Sequence, residues 1–570
     1  MPVDIPAPYI PPHDWAYSDV DRVNESRLKV LVVGNFRGML APIEVPLSVQ
    51  HSRELLGFWS PSIDLELELD FWGSKEQVFV RYQPSDIVSF LSPLPACRLV
   101  PDSLDAPRPN TGTLKILGGL LGDWETVQRE IRAGIEKGGV DIEGIDGVAT
   151  QFPSVELQSV IEGLKLIKGL SSSDSQPLGL DQLYLDLSAL YEEFQNAIRQ
   201  DPVFKELKES WLGLDRILKA GMSHHSLEIW ALNASPQALL NDCDLDVVNT
   251  DLYSAIYQSE IGQYGGDPFS AVVLGFPVGF SSETSPVYKY LAKIGELAST
   301  PMLLDPGLSL LKADDYSILD GLENIGIELD SSLRNIAMET CGSFLFLTPQ
   351  SSVIAVRQVT DLGDGRESRE LDIFDCPGSV DLAIDLIETL IDLRGTASSD
   401  LQQDALDYEV RPVYWFGPST VETLQRSGMV MPVCVHPQRP LRFDGARPIG
   451  GIHGGAHSPQ RVDGNRPPEL IGLVQILRIL HKLKGWARDN IGSSMSVNER
   501  VAAINDQIGA FVLDTPKPRA ELLRTRPLSA GFCEFIKDPE ITRDSYRLTF
   551  RLHEHRDYPV GELTTHVGIG

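Results

Sequence analysis

Among the residues able to do chemistry, the histidines are the sparsest, with eleven in the chain. They include the neighbours His224 and His225, His453 with His457, and His553 with His555. On a strand, His553 and His555 would share a face and could hold a metal ion, but no third ligand is spaced to complete a site. His453 and His457 fall in a glycine-rich stretch that would preorganise a ligand poorly. Cys97, Cys243, Cys341, Cys376, Cys434 and Cys533 are too scattered for a disulfide framework or a zinc site, so buried free thiols are expected. There is no G-x-S-x-G, no H-E-x-x-H and no phosphate-binding loop. With 80 Asp and Glu residues, no single pair stands out as acid and base. The residues therefore predict no enzyme, with no catalytic residue, no metal and no cofactor.

Two further stretches invite chemistry and are better explained as scaffold. Leu28 to Val33 (LKVLVV) predicts a buried strand, and Gly34-Asn35-Phe36-Arg37-Gly38 follows it. A dinucleotide site would need a third glycine and a helix there, and Pro42 and Pro46 interrupt the region. Ile63, Leu65, Leu67, Leu69 and Phe71 alternate with Asp64, Glu66, Glu68 and Asp70, the period of a half-buried strand. The four carboxylates read as a solvated outer face that also discourages edge-to-edge aggregation.

At 570 residues the chain is expected to form two to four domains. Its 42% apolar and 23% charged residues fit an ordinary globular protein. No apolar run is long enough to span a membrane, and the opening MPVDIPAPYIPPHDW lacks the features of a secretory signal, so a cytoplasmic protein is expected. The net charge of −31 argues against nucleic-acid binding. Basic residues gather in 469–556, whereas Asp381, Asp385, Glu388 and Asp392 are acidic. Either these are solvated faces, or the basic end meets an acidic partner surface.

In chain order, 1–26 is a proline-rich arm expected to order against a neighbour. Val78, Val80 and Tyr82 make a strand beside Ile63–Phe71, and a short helix starts at Pro84-Ser85-Asp86. Residues 101–113 read as a loop, and Trp124, Val127, Ile131 and Ile135 as an amphipathic helix. The main boundary is placed within 140–176, with 151–180 as a linker. From Leu180 the pattern is helical, with Pro202 at a helix start after Asp201. Strands follow at Leu227–Leu232, Ala271–Leu274 and Pro301–Asp305, and Ser343–Leu347 and Val353–Val356 resemble a strand pair around Thr348-Pro349. Pro286–Leu297 and Val380–Leu393 read as helices. Residues 437–468 lack hydrophobic periodicity and read as a loop able to move.

The stretch from Glu469 to His555 organises the C-terminal end. Leu473, Ile476, Leu477, Leu480, Leu483, Ala487 and Ile491 form one helical face, with Arg478, His481, Lys482, Lys484 and Arg488 on the adjoining sector. A second helix carries Val501, Ile504, Ile508, Phe511 and Val512. Tyr546, Leu548, Phe550 and Leu552 then alternate with polar residues as in a strand.

Several of these segments carry a family likeness. Pro202 to Leu214 (PVFKELKESWLGL), with Phe204, Leu207, Trp211, Gly213 and Leu214, resembles a motif of the large contractile-sheath subunit of type VI secretion systems. Glu260 to Phe269 (EIGQYGGDPF), with Gly265, Gly266 and Pro268, resembles that family's turn before a strand. Ile479 to Lys484, Arg488 to Ser493 and Arg526-Pro527-Leu528 are similar to its C-terminal part, so the likeness spans about 180–570. More weakly, Arg22-Val23, Leu28–Gly34, Phe36 and the Leu69–Asp86 region resemble the small sheath subunit. The chain departs from the pattern at Leu347–Arg357, which lacks a second proline and a tyrosine, in the 437–468 loop, and in a shortened helical tail.

This resemblance implies a mixed α/β (α+β) multi-domain sheath protomer that joins the two subunits. Its regions would be 1–26 arm, 27–150 small-subunit-like, 151–180 linker, 181–436 large-subunit-like, 437–468 loop and 469–570 C-terminal. It implies a small terminal sheet completed by strand exchange between subunits, carried by Arg22, Val23, Tyr546, Leu548, Phe550, Leu552, Leu563 and Val567. The basic residues Arg478, His481, Lys482, Lys484 and Arg488 would contact an inner tube. Implied partners are further copies in a helical homopolymer, the inner secretion tube protein, baseplate components and a recycling unfoldase ATPase, without nucleic acid or membrane insertion. The alternative is a sheath-related baseplate or assembly component that does not polymerise.

Overall fold

The computed structural model describes all residues except 1–27, 39–41, 72–73, 101–109, 137–153, 169–179, 222–226, 264–265, 322–329, 362–366, 393–405, 433–440, 444, 452–468, 491, 516–517, 519–521, 524–525, 537–543, 554–561 and 570. Two compact units result. One holds the described parts of Met1–Asn35, Leu40–Gln50 and Gly213–Gly570, and the other those of Phe36–Met39 and His51–Leu212. The contacts thus divide the chain near 35, 50 and 212 rather than within the expected 140–176. The reason is β1 (Leu28–Gly34), which is built into the same sheet as strands two hundred residues away.

That sheet has six strands in the order β2-β6-β1-β7-β8-β9. Its members are β2 (Leu47–Val49), β6 (Leu227–Asn233), β7 (Ala271–Leu274), β8 (Met302–Leu304) and β9 (Leu345–Leu347) around β1. Strand β1 runs parallel to both neighbours, with Val32 opposite Ala231 on one side and Val273 on the other. A strand paired on both edges and covered on both faces needs the unbroken apolar run that LKVLVV supplies. Its one charge, Lys29, is 3% exposed; it pairs with Glu260 at 2.8 Å and lies 4.2 Å from the Trp230 ring.

In the second unit, β3 (Ile63–Phe71), β4 (Ser74–Tyr82) and β5 (Cys97–Leu99) form an antiparallel sheet. The apolar residues of β3 are buried and its carboxylates exposed, as the alternation predicts. Asp64 pairs with Arg81 at 2.6 Å and Glu68 with Lys75 at 2.6 Å, so β4 partly neutralises the ladder. After helix α1 (Ser52–Trp59), helix α2 (Thr111–Glu136) begins earlier than expected, within the stretch read as a loop. Its glycine-rich first half hid the helix, and Gly119 there serves packing. A Cβ on Gly119 would stand 2.5 Å from Glu156 O, and one on Gly163 2.5 Å from Gly112 O. Asp123 leaves helical geometry and its carboxylate accepts from Thr126 N at 3.0 Å, starting the second half at Trp124. Glu156 and Gly163 belong to α3 (Val155–Lys168), which occupies the segment expected to be a linker. Helix α4 (Leu180–Gln200) and helix α5 (Pro202–Gly221) follow. Asp201 caps α5 by accepting from Val203 N and Phe204 N at 2.8 and 3.1 Å.

The remainder of the first unit adds helix α6 (Ser285–Ala298), helix α7 (Gly378–Asp392) and two three-stranded antiparallel sheets. One is β11 (Glu367–Cys376), β10 (Ser352–Asp361) and β12 (Leu406–Pro412), in that order. The two strands expected around Pro349 are present, and they belong to different sheets. Strand β9 continues the parallel sheet, and β10 leaves to pair with β11 and β12. The other sheet joins β13 (Leu528–Ile536), β14 (Asp544–Leu552) and β15 (Glu562–Ile569). Before it come α8 (Leu470–Asp489) and α9 (Val497–Gly509), the latter opened by a Ser496/Glu499 capping box. The described part of the expected 437–468 loop is anchored: Leu441, Phe443, Ala446 and Ile449 are buried, and Arg442 pairs with Asp385 at 3.0 Å.

Candidate functional site

Phe204, Leu207, Trp211 and Leu214 of the α5 motif are all 0% exposed. Trp211 donates its indole N–H to Phe36 O at 2.9 Å, and its ring meets Phe36 and Trp59 edge-on, at 5.3 and 6.1 Å between centroids. Gly213 lies against Val380, which is 3.4 Å from where a Cβ would be, an ordinary packing distance. These positions build a core, and their aromatic spacing needs no ligand to explain it.

The second motif surrounds a tight turn. Residues Ser254–Gln258 form a π-helical turn, and Glu260 then accepts from Asp267 N at 3.2 Å and from Lys29. A Cβ on Gly266 would stand 1.9 Å from Glu260 O, so only glycine fits. Pro268 is partly buried, and Gly265 lies outside the described residues.

Helix α8 meets this turn. Its expected basic sector splits into two groups. Arg488 donates from Nη1 to Ile261 O at 3.2 Å and also to Gln263 O. His481 donates from Nε2 to Ala298 O at 3.0 Å, and Lys484 from Nζ to Leu297 O and Ser299 Oγ at 3.3 and 2.6 Å. Residues 481, 484 and 488 share one face of α8: His481 and Lys484 cap the carbonyl end of α6, where the helix dipole favours the Lys484 charge, and Arg488 binds the turn. Burial, reinforced by the Lys484 charge, lowers the His481 pKa to about 4, so the ring is neutral. Burial also draws Lys484 down to about 8. Arg478 and Lys482 occupy the other, partly exposed stripe, with the Lys482 ammonium 5.4 Å from the Phe511 ring centroid.

Tyr546, Leu548, Phe550 and Leu552 of β14 are buried. Strand β15 pairs with β14 in the same chain, setting Leu563 opposite Phe550 and Val567 opposite Tyr546. Arg22 and Val23 lie outside the described residues.

His553 donates from Nε2 to Leu513 O at 2.7 Å, while His224, His225, His453, His457 and His555 lie outside the described residues. Among the described residues no metal-binding cluster occurs and no helix is long and apolar enough to cross a membrane. Cys97, Cys243, Cys341, Cys376 and Cys533 are free thiols, and burial pushes Cys97 up to about 12. Within the acidic tract, Asp381 and Asp385 are buried, 1% and 6% exposed, and Asp381 binds Arg216 at 2.6 Å. Sequence reasoning missed that ion pair, and it missed Asp305 beyond β8, because their partners are remote in the chain and nothing in local spacing announces them.

Residues 181–333 match the family model described as EvpB/VC_A0108, tail sheath N-terminal domain (VipB). No curated protein matches the chain. The match covers α4, α5, β6, β7, α6 and β8. This region is similar to a tail-sheath domain, which supports a structural role related to contractile sheaths.

Proposed function

We propose that this chain is a structural subunit of a type VI secretion-like contractile sheath, polymerising helically around an inner tube and contracting to propel it. The match of 181–333 to a tail-sheath domain carries the reading. The α5 motif as a packed core and the union of α8 with the Glu260–Phe269 turn are consistent with it. Identical copies joined by heterologous contacts that do not close generate a helical polymer. The small β13-β14-β15 sheet is the proposed site of strand exchange, since an added strand gains a full ladder of backbone hydrogen bonds. Contraction would be a concerted repacking between two arrangements, needing no chemistry from the chain. Contact with the inner tube is assigned to Arg478 and Lys482, on the partly exposed stripe of α8. Baseplate components and a recycling unfoldase ATPase are the further partners of such an assembly, which would work in the cytoplasm.

One observation favours the second reading, a non-polymerising baseplate or assembly component: β15 already completes the small sheet within its own chain. Deleting 562–570 separates the two. A sheath subunit loses polymerisation, whereas a cap retains partner binding; tubes of unchanged length from the truncated chain would count against strand exchange through β15.

A further inference from the structure

Open parallel sheets bind ligands in the crevice beyond the carboxyl ends of their strands. Here that rim is filled by the chain. The last carbonyl of β7, Leu274 O, accepts from Ser379 Oγ at 2.6 Å. That of β8, Leu304 O, accepts from Thr348 N and Oγ1 at 2.9 and 3.0 Å. The next residue, Asp305, is 0% exposed. Its Oδ1 accepts from Gly307 N at 2.7 Å, and its Oδ2 from both Ser351 Oγ at 2.9 Å and Gly378 N at 2.8 Å. Ser351 precedes β10 and Gly378 follows β11, so one oxygen joins both feet of the β10–β11 hairpin, whose first pair is Ser352 with Cys376. Gly378 also opens α7, where an N–H has no helical partner and the dipole favours an anion. A Cβ there would stand 2.4 Å from Gln350 O, which keeps the approach this close. Burial raises the Asp305 pKa, and the three donors oppose that rise.

We propose that the Asp305 carboxylate is the built-in anion of this rim, occupying the place a bound anion would take and pinning the base of the β10–β11 hairpin and the start of α7 to the parallel sheet. The rim beyond β7 and β8 thereby becomes a joint between two sheets. Asp305 serves both attachments through one side chain, and Ser379 adds a second tie between α7 and β7.

The test is Asp305→Gly in the full chain, with thermal unfolding followed in sodium formate, sodium chloride and neutral formamide. The substitution should lower the midpoint, and formate should restore most of the loss while chloride and formamide do not. Wild type, whose seat is filled, should show no formate-specific gain. Formate acting no better than chloride, or a glycine variant as stable as wild type, would overturn the proposal. If the glycine variant does not fold, Asp305→Asn serves, because its one amide oxygen can fill only one of the two acceptor positions and its NH2 then faces a donor at the other. Hydrogen-exchange protection of the Gly307 or the Gly378 amide should then fall at least about tenfold, and unchanged protection of both would contradict the pin.

Discussion

Arg488 donates from Nη1 to the carbonyl of Ile261, 3.2 Å away, and so ties the end of α8 to a turn 227 residues earlier. Two of the stretches whose sequences carry the sheath likeness are therefore in direct contact. His481 and Lys484 extend the same face of α8 onto the carbonyl end of α6. Basic residues that looked like a docking sector from the sequence are in large part internal caps.

The His481 cap predicts an acid-sensitive stability. The folded-state pKa of about 4 lies below the ordinary 6.5, so between these values the unfolded chain takes up a proton that the folded chain refuses. Stability should fall as pH drops through that window, by about 3 kcal/mol for this group, and be indifferent to it above pH 6.5. His481→Gln, whose amide can still donate to Ala298 O, should flatten that part of a denaturant-midpoint profile against pH. An identical profile in the variant would show that His481 is not the titrating group.

Helices α2 and α3 predict opposite outcomes for two adjacent glycines. Gly119→Ala forces a methyl onto Glu156 O and should destabilise by roughly 1–3 kcal/mol. A Cβ on Gly118 meets nothing within 4 Å, so Gly118→Ala should stabilise by up to about 1 kcal/mol. Chemical denaturation of the two variants checks the pair, and equal effects would mean the helices do not approach as described.

The Arg216–Asp381 pair should matter more when broken than when replaced. Arg216→Met alone strands a carboxylate that is 1% exposed and should cost roughly 3–5 kcal/mol. Adding Asp381→Leu should recover most of that loss. A double variant no more stable than the single one would show that the loss comes from packing instead.

Much of this fold was legible wherever one face of an element is buried. LKVLVV, the β3 alternation and the Asp201-Pro202 cap could all be read locally, because period and capping are local properties. Three features resisted. The first half of α2 was hidden by its glycines, one of which, Gly119, packs against a neighbouring helix. The departure of β10 from β9 depends on pairing with β11 and β12, which no window around Pro349 contains. The inward turn of His481, Lys484 and Arg488 depends on carbonyls of 261–263 and 297–298, so sequence could place these residues on a helix face without saying what the face met.

The central position of β1 makes the chain indivisible. A break between Lys168 and Leu180 removes the strand that β6 and β7 both pair with. The fragments should be insoluble when expressed singly and co-purify when expressed together. A soluble, cooperatively unfolding fragment 180–570 would contradict this.

The most direct test of the sheath reading is negative-stain electron microscopy of the full-length chain, alone and with a tube-forming partner. The account predicts hollow helical tubes, lost on Arg478→Glu/Lys482→Glu when assembly is templated by the inner tube. Particles that stay monomeric under every assembly condition would contradict it.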